Sequence, residues 1–390
     1  MIPYSRQQVT ENDIKEVVKV LKSDYLTQGR VVPRFESAIS KITNAKFATA
    51  VNSATSALHI SCLALGLREN DYLWTSANSF VASANCGVYC GAKIDLIDIN
   101  NDDWNISIKT LENKLKLAKK NNTLPKILVT VHFSGQPTFQ EKIYQLSKKY
   151  KFRIIEDASH SLGASRNEVN VGSCKWSDVT VFSFHPVKII TSGEGGAITT
   201  NSEKIDAKLK SLRNHGIIRD KNLLINKKSG PWYFEQISLG LNYRMTDIHA
   251  ALGLSQIKRL KSIIKCRNKI ANIYNELFFD LPISPVKINE GNISSYHLYP
   301  IVLNNENNVK NHKKIFEYLR SNKINVGLHY IPIYRHPFYK KYKFQISKFK
   351  NTEKYYSSAM SIPIFVQITE KEINHVYHTL KKSLSVQFNV

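Results

Sequence analysis

The sequence is poor in acidic residues. It contains 31 Asp and Glu against 55 Lys and Arg, which gives a formal net charge of +24. Such a charge raises the question of nucleic acid binding. The lysines are spread along the chain, however, and the densest stretch, residues 339–354, accompanies no nucleic-acid-binding motif. The composition therefore favours a Lys- and Asn-rich bias without a nucleic acid partner, and its positive field would attract an anionic substrate.

Long apolar runs and a targeting segment are also absent. No stretch approaches the ~20 apolar residues that a membrane-spanning helix needs. The first residues, MIPYSRQQ, lack the basic start and apolar stretch of a secretory signal. We therefore expect a cytoplasmic protein with no membrane partner.

Cysteine is scarce and shows no metal-ligand spacing, so no metal site is expected. Cys86 and Cys90 would lie one turn apart on a helix. We interpret all the cysteines as packed thiols, which are Cys62, Cys86, Cys90, Cys174 and Cys266.

No Gly-, Pro- or Ser-rich stretch is long enough to form a disordered linker. A chain of 390 residues is expected to form two domains, since one domain usually takes roughly 100 to 200 residues. Strand and helix patterns alternate through its first half, which predicts a mainly parallel sheet covered by helices on both faces. The predicted strands are 47–51, 72–75, 94–97, 126–131, 153–156, 179–184 and 196–200. The predicted helices are 10–22, 34–43, 54–66, 80–90, 108–119, 138–150 and 203–214.

The last third predicts a second, smaller α/β domain. A long helix begins after Thr246, and a strand (296–303), a helix (309–322), a strand (324–329) and an amphipathic helix (369–384) follow. We expect a large domain over 10–245 and a small domain over 246–390, with residues 1–9 near the functional site.

Polar clusters follow three of the predicted strands, where ligands collect in open parallel sheets. Residues 52–56 (NSATS) lead into a helix, and free N–H groups with hydroxyls there suit a phosphate monoester. Residues 156–160 (EDASH) end an apolar strand, where a buried carboxylate needs a cationic partner such as a protonated pyridine nitrogen. Ordinary helix capping is the alternative for both clusters.

The third cluster comprises residues 182–188 (FSFHPVK) and 191–196 (TSGEGG). A lysine held in a buried, turn-rich segment has a lowered pKa and can form a Schiff base, whereas most lysines are merely solvated. The order of the clusters, with Ser183 and Lys188 five residues apart beside a Gly-rich turn, favours the chemical interpretation.

Together these segments resemble the sugar-nucleotide aminotransferases of pyridoxal-phosphate (PLP) fold type I, the DegT/DnrJ-like family. The resemblance covers nearly the whole chain and extends to residues 26–29 (LTQG), 131–137 (VHFSGQP), 213–216 (RNHG) and 240–246 (GLNYRMT). It implies the aspartate-aminotransferase-like α/β fold, in which a large domain with a mainly parallel, helix-covered sheet precedes a smaller C-terminal α/β domain. It also implies a PLP cofactor that alternates with pyridoxamine phosphate.

The resemblance assigns catalytic roles to Lys188, Asp157 and His160. Lys188 would form the Schiff base, Asp157 would pair with the pyridine nitrogen, and His160 would lie near the phenolic oxygen of the ring. The remaining cofactor contacts implied are Phe80 on the ring, Ala54, Thr55 and Ser183 at the phosphate, and Asn242 from the partner subunit. Asn242 thereby implies a homodimer with shared active sites.

The same resemblance suggests the residues that contact the substrate. They come from the start of the chain, the turn after the first helix, the segment before residue 246 and the small domain. They are Tyr4, Asp24, Tyr25, Leu26, Thr27, Arg244, His329 and Tyr330.

Within the family, the NSATSAL, DASH and SFHPVK segments resemble the branch that serves pseudaminic acid biosynthesis, since other branches usually carry Gln where this chain has His160. This branch implies transfer of the amino group of L-glutamate to C4″ of a UDP-linked 4-keto-6-deoxy-N-acetylhexosamine. A C4 or C3 aminotransferase for another nucleotide sugar, of the perosamine or bacillosamine type, is the nearest alternative. A sugar dehydratase of this family would carry histidine in place of Lys188. A basic nucleic-acid-binding or regulatory protein on this fold would lack a catalytic position, and none is missing.

Overall fold

The computed structural model describes residues 1–220, 222, 224–226 and 230–385. The strands are β1 (Phe47–Val51), β2 (Tyr72–Ser76), β3 (Lys93–Ile97), β4 (Ile127–Val131), β5 (Arg153–Asp157), β6 (Ser165–Arg166), β7 (Val169–Asn170), β8 (Val179–Ser183), β9 (Gly196–Thr200), β10 (Ile217–Ile218), β11 (Glu235–Gln236), β12 (Ile283–Pro285), β13 (Asn292–Ile293), β14 (Tyr299–Leu303) and β15 (Ala359–Ile362).

The α-helices are α1 (Glu11–Leu21), α2 (Val31–Thr43), α3 (Ala54–Ala64), α4 (Ala82–Tyr89), α5 (Ile108–Lys120), α6 (Gln140–Tyr150), α7 (Glu203–Leu212), α8 (Asp247–Ile257), α9 (Leu260–Leu277), α10 (Glu306–Lys310), α11 (His312–Ser321), α12 (Lys350–Ser358) and α13 (Glu370–Ser385). Among the residues described, no helix is long and apolar enough to cross a membrane.

The central sheet has seven strands in the order β1-β9-β8-β5-β4-β2-β3. Strands β8, β5, β4, β2 and β3 are parallel to one another, whereas β9 runs antiparallel to both β8 and β1. This confirms the predicted mainly parallel α/β sheet. The helices between successive strands are long enough to make the crossovers that parallel pairing requires.

Both faces of this sheet are buried, because successive side chains on a strand point to opposite faces. Leu73 of β2 packs with α3 and α4 in one apolar cluster, whereas the adjacent Trp74 packs with α5 and α6 in another. Strand β4 repeats this pattern with Val129 and Leu128. Continuous apolar strands such as β4 (ILVTV) are therefore stable only with helices on both sides.

The C-terminal part contains a three-stranded antiparallel sheet in the order β12-β14-β15. Its apolar core also includes Ile99, Trp104 and Phe133 from the first half of the chain. The predicted strand 324–329 is wrong. Ile324 and Gly327 form only isolated bridges, to Ile2 and Ser361, because β15 takes the place beside β14. Two predicted helices are also interrupted, since α8 ends before α9 and α10 ends before α11.

The first residues of the chain join the C-terminal part to the central sheet. The N–H of Ile2 donates to the carbonyl of Lys323 at 2.7 Å. The Ser5 hydroxyl then donates to the carbonyl of Val187 at 3.0 Å, one residue before Lys188. This path carries Tyr4 into a cavity at the carboxyl ends of β5 and β8.

Candidate active site

Lys188 lies in the turn between β8 and β9, at the wall of a cavity of about 640 Å³. The turn is held by a hydrogen bond from the Lys188 N–H to the carbonyl of His185, at 2.9 Å. It closes through Gly193, whose φ of +81° is a conformation that favours glycine. Burial lowers the pKa of Lys188 to about 8, although the negative charge of Asp157 raises it. The amine is therefore much more easily deprotonated than that of a solvated lysine.

Asp157 ends β5 and is held by two hydroxyl groups. The Ser83 hydroxyl donates to Oδ2 at 2.7 Å, and the Ser159 hydroxyl donates to Oδ1 at 2.6 Å. The N–H of Ser159 also donates to Oδ1, at 3.2 Å. The carboxylate is buried, lines the cavity, and has no cationic hydrogen-bond partner within the described part of the chain. Such a group is suited to bind a cation of a ligand.

His160 is buried beside Tyr330, whose hydroxyl lies 2.9 Å from its Nε2. Burial, then the charges of Lys188 and His329, holds the pKa of His160 well below its usual range. Burial also raises the pKa of Tyr330, so its hydroxyl remains protonated and can donate to Nε2. The imidazole proton then lies on Nδ1, which has no hydrogen-bond partner among the described residues. A ligand oxygen would supply one.

The N-terminus of α3 forms another part of the cavity wall. Ser53 caps this helix by accepting from the N–H of Ser56 at 3.1 Å, which leaves the amides of Ala54 and Thr55 without an intrahelical partner. Ser183, at the end of β8, lines the same region. Gly196 permits this packing, because a Cβ there would lie 2.6 Å from the backbone of Ser53.

The residues of the cavity fit PLP. Helix N-terminal amides and hydroxyls suit a phosphate, and the buried amine of Lys188 suits an aldehyde. The carboxylate of Asp157 suits a protonated ring nitrogen, and the unpartnered Nδ1 of His160 suits a ring oxygen. Phe80, which is 56% exposed, offers a ring face at the same cavity.

Most of the predicted site residues therefore line one cavity. They are Tyr4, Ala54, Thr55, Phe80, Asp157, His160, Ser183, Lys188, His329 and Tyr330. The other predicted residues, Asp24, Tyr25, Leu26, Thr27, Asn242 and Arg244, do not line it. Five of these six are exposed and Arg244 is half-buried.

Two polar cavity residues, Ser83 and His297, were not identified from the sequence. Ser83, which positions Asp157, follows Phe80 by three residues, and this helical spacing was the available signal. His297 lies 4.4 Å from His160, measured between ring centroids, and precedes β14 in the C-terminal part. No local pattern distinguishes His297 from a core histidine, since only the tertiary fold brings it to the site.

The fold and this cavity define a PLP-dependent aminotransferase of fold type I. The chain belongs to the DegT/DnrJ/EryC1/StrS aminotransferase family, whose model matches residues 7–381. The predicted cofactor and enzyme class are thereby confirmed.

Related proteins cover almost the entire chain. This chain is 40% identical over 381 residues to the UDP-4-amino-4,6-dideoxy-N-acetyl-beta-L-altrosamine transaminase of Campylobacter jejuni. The alignment covers 97% of this chain and 96% of that protein. Among solved structures, it is similar to PseC of Helicobacter pylori, an aminotransferase involved in the biosynthesis of pseudoaminic acid, with 31% identity, a TM-score of 0.89 and coverage of 98% and 99%. The PLP form of the sugar aminotransferase Spr1654 of Streptococcus pneumoniae matches with 25% identity, a TM-score of 0.88 and coverage of 98% of each chain.

Proposed function

We propose that this aminotransferase moves the amino group of L-glutamate to C4″ of a UDP-linked 4-keto-6-deoxy-N-acetylhexosamine. The products would be UDP-4-amino-4,6-dideoxy-N-acetyl-β-L-altrosamine and 2-oxoglutarate. The observation that carries this substrate assignment is the 40% identity, along 97% of the chain, to the Campylobacter jejuni transaminase of that product.

PLP, when bound, supplies an electron sink and carries the amino group from one substrate to the other. In our proposal Lys188 anchors the cofactor and, once displaced by a substrate amine, moves a proton to or from the reacting carbon. Its pKa of about 8, lowered by burial, suits this work because the amine can both accept and donate a proton near neutral pH. Asp157 holds a proton on the ring nitrogen, and Ser83 and Ser159 orient the carboxylate.

The phosphate would bind at the start of α3, through the amides of Ala54 and Thr55 together with Ser183. His160 would donate from Nδ1 to the ring oxygen, with its tautomer set by the hydroxyl of Tyr330. Phe80 would stack on the ring. These roles fit the positions of the side chains around one cavity.

We also propose that the enzyme is a homodimer with shared sites. Asn242 is exposed and lies outside the cavity of its own chain. The preceding segment exposes large apolar side chains, including Trp232 at 80% and Leu239 at 85%. Several large exposed apolar side chains in one segment are typical of a surface that contacts another protein. A partner subunit seated here would bring its Asn242 to the phosphate.

The substrate contacts would then come from two chains. Tyr4, His329 and Tyr330 line the cavity of their own chain and would contact the sugar of the substrate. The four exposed residues Asp24, Tyr25, Leu26 and Thr27, together with half-buried Arg244, would contact the substrate of the partner subunit.

We also propose that the chain is divided into a large domain, 10–245, and a small domain, 246–390, with residues 1–9 returning to the site.

The test is a glutamate-dependent assay of the PLP-loaded enzyme against UDP- and dTDP-linked 4-keto sugars. We expect 2-oxoglutarate release with the UDP-4-keto-6-deoxy-N-acetylhexosamine, and NMR should assign the C4″ configuration of the amino sugar. Preference for a dTDP sugar, or amination at C3, would favour the alternative nucleotide-sugar aminotransferase.

Lys188→Ala tests the proposed proton transfer, because it removes the group to which we assign that step. It should abolish both the visible absorption of the bound cofactor and turnover. Lys116→Ala, which changes an exposed lysine of α5, should change neither. Normal amino transfer by Lys188→Ala would contradict the proposed role of Lys188. Salt-sensitive retention on DNA without turnover would instead favour the nucleic-acid-binding alternative.

A further inference from the structure

His297 is a buried histidine of the C-terminal part that lines the cofactor cavity, and it has no role in the amino transfer proposed for Lys188 and Asp157. Its ring lies 4.4 Å from that of His160, measured between the centroids. Its Nδ1 is buried and has no hydrogen-bond partner among the residues that the structure describes. A buried polar group without a partner costs free energy, so this imidazole is poised to bind a group that enters the cavity.

The turn that carries His297 is fixed from two sides. The Ser295 hydroxyl donates to the carbonyl of His160 at 2.6 Å. Nη1 of Arg267, a buried residue of α9, donates to the carbonyls of Tyr296 at 2.9 Å and of His297 at 3.4 Å. The imidazole is therefore held in place before a ligand binds, which lowers the entropy lost on binding.

The C-terminal part lines the cavity with side chains that are uncharged at neutral pH, namely His297, His329 and Tyr330. Burial, followed by the positive charge of Lys188, holds the pKa of His297 well below its usual range. Burial likewise lowers the pKa of His329 to about 4 and raises the pKa of Tyr330. This wall of the cavity therefore presents hydrogen-bonding groups that carry no charge.

His329 and Tyr330 are engaged by neighbouring side chains. Nδ1 of His329 lies 2.9 Å from the Ser361 hydroxyl, and the Tyr330 hydroxyl lies 2.9 Å from Nε2 of His160. No such partner occupies Nδ1 of His297 within the described part of the chain. Hydrogen-bonding capacity at His297 is therefore available to a ligand.

An uncharged polar wall suits a neutral polar group of a ligand. A neutral imidazole donates through one nitrogen and accepts through the other, and sugar hydroxyls and amides can bind in either way. Carboxylates and phosphates are bound most strongly by cationic donors, which give charge-assisted hydrogen bonds. The wall therefore matches the sugar of a nucleotide sugar better than it matches the carboxylates of L-glutamate.

We infer that His297 is a substrate-binding residue that hydrogen-bonds the sugar of the UDP-linked substrate and does not contact L-glutamate. This inference rests on the proposed function, because it concerns the same cavity and the same two substrates. It predicts that the two amino donors of the reversible reaction differ in their need for one side chain. A core histidine would show no such difference, since its loss would disturb the cavity for both donors.

The test compares two half-reactions of the same PLP-loaded enzyme. One starts from L-glutamate, and the other runs in reverse from UDP-4-amino-4,6-dideoxy-N-acetyl-β-L-altrosamine. Each converts the bound cofactor to pyridoxamine phosphate, which the loss of visible absorption records in a single turnover. The ratio of the two second-order rate constants cancels differences in folding and cofactor loading between variants.

His297→Phe keeps an aromatic ring beside His160 but removes both ring nitrogens. Its rate constant with the amino sugar should fall about 2- to 13-fold, as expected for the loss of one hydrogen bond between uncharged groups, while that with L-glutamate stays at the parent value. His297→Gln retains a donor and an acceptor and should recover part of the loss. His312→Phe is the matched control and should leave the ratio unchanged, because His312 is a half-buried histidine whose Nε2 lies 2.8 Å from the carbonyl of Ala359.

Two equilibrium measurements do not depend on turnover. Titration of the apoprotein with PLP should give the same dissociation constant for His297→Phe as for the parent. Calorimetric titration of the pyridoxamine-phosphate form with the UDP-amino sugar, with which it cannot react, should show weaker binding by the same 2- to 13-fold factor.

Three outcomes would overturn the inference. An equal fall in both half-reactions would make His297 a support for His160 or the cofactor. A fall with L-glutamate alone would show that His297 contacts a carboxylate, and no change with either donor would make it a core histidine. Failure of the proposed function looks different, because the parent enzyme itself would then react with L-glutamate but not with this amino sugar. The same comparison would then use the nucleotide sugar that the parent accepts.

Discussion

Replacement of Lys188 by methionine should stabilise the protein in the absence of cofactor while it abolishes catalysis. Methionine has a side chain of similar length and carries no charge, so it fills the same buried space without desolvating an ammonium group. The stabilisation arises because the folded apoprotein must hold Lys188 either buried and charged or deprotonated.

The magnitude follows from the pKa of Lys188, which burial lowers from 10.5 to about 8. A shift of one pKa unit corresponds to about 1.4 kcal/mol, so the penalty approaches about 3 kcal/mol at pH 7. Between the two pKa values the unfolded chain binds more protons than the folded one, and stability therefore rises with pH through this window. At pH 10 the penalty falls below about 1 kcal/mol.

The assay is urea-induced unfolding of the apoproteins at pH 7 and pH 10, at one fixed protein concentration because subunit association would otherwise shift the transition. Lys188→Met should raise the free energy of unfolding by about 3 kcal/mol at pH 7 and by less than about 1 kcal/mol at pH 10. Lys116→Met, at an exposed position of α5, controls for the loss of a lysine and should show no such pH dependence.

A gain that is the same at both pH values would show that packing, and not deprotonation, distinguishes the two side chains. A loss of stability at pH 7 would refute the reasoning outright. It would mean that the attraction of Asp157 outweighs the desolvation of the amine, and that Lys188 is an ordinary charged lysine.

Two other predictions concern the cofactor site. Asp157→Asn should retain the fold but weaken PLP binding about 10- to 150-fold, which corresponds to a charge-assisted hydrogen bond of roughly 1.5 to 3 kcal/mol. Titration of the apoprotein measures this, and an unchanged dissociation constant would make Asp157 a structural cap. Co-expression of Asn242→Ala with Lys188→Ala should restore one intact site per heterodimer, because both lesions then fall in the other site. If Asn242 serves its own chain, every site carries a lesion and activity stays at the level of the parent variants.

The sheet and most of the cofactor cavity could be predicted from the sequence because their signals are local. Strand β4 is a continuous apolar run, and each parallel strand needs a crossover helix, so the alternation of the two patterns defines the layers. Polar residues at the ends of β5 and β8 then share one edge of the sheet. This is why the sequence pattern predicts that Asp157, Ser183 and Lys188 lie close together.

Secondary structure predicted from local patterns was wrong where long-range packing determines it. Residues 324–329 have the apolar character of a strand, but β15, which is only four residues long, pairs with β14 instead. The helix predicted after Thr246 is amphipathic beyond Ile257, yet α8 ends there and α9 begins at Leu260. The residues between α8 and α9, Lys258 and Arg259, include no proline or glycine to mark this break.

The fold class, the family and the candidate site residues Lys188 and Asp157 follow from the sequence alone, because each depends on the type and order of residues along the chain. Tertiary packing brings His297 to His160 from the C-terminal part and places Ser83 against Asp157. Such contacts depend on how helices and loops pack against the sheet, which spacing along a single chain does not encode.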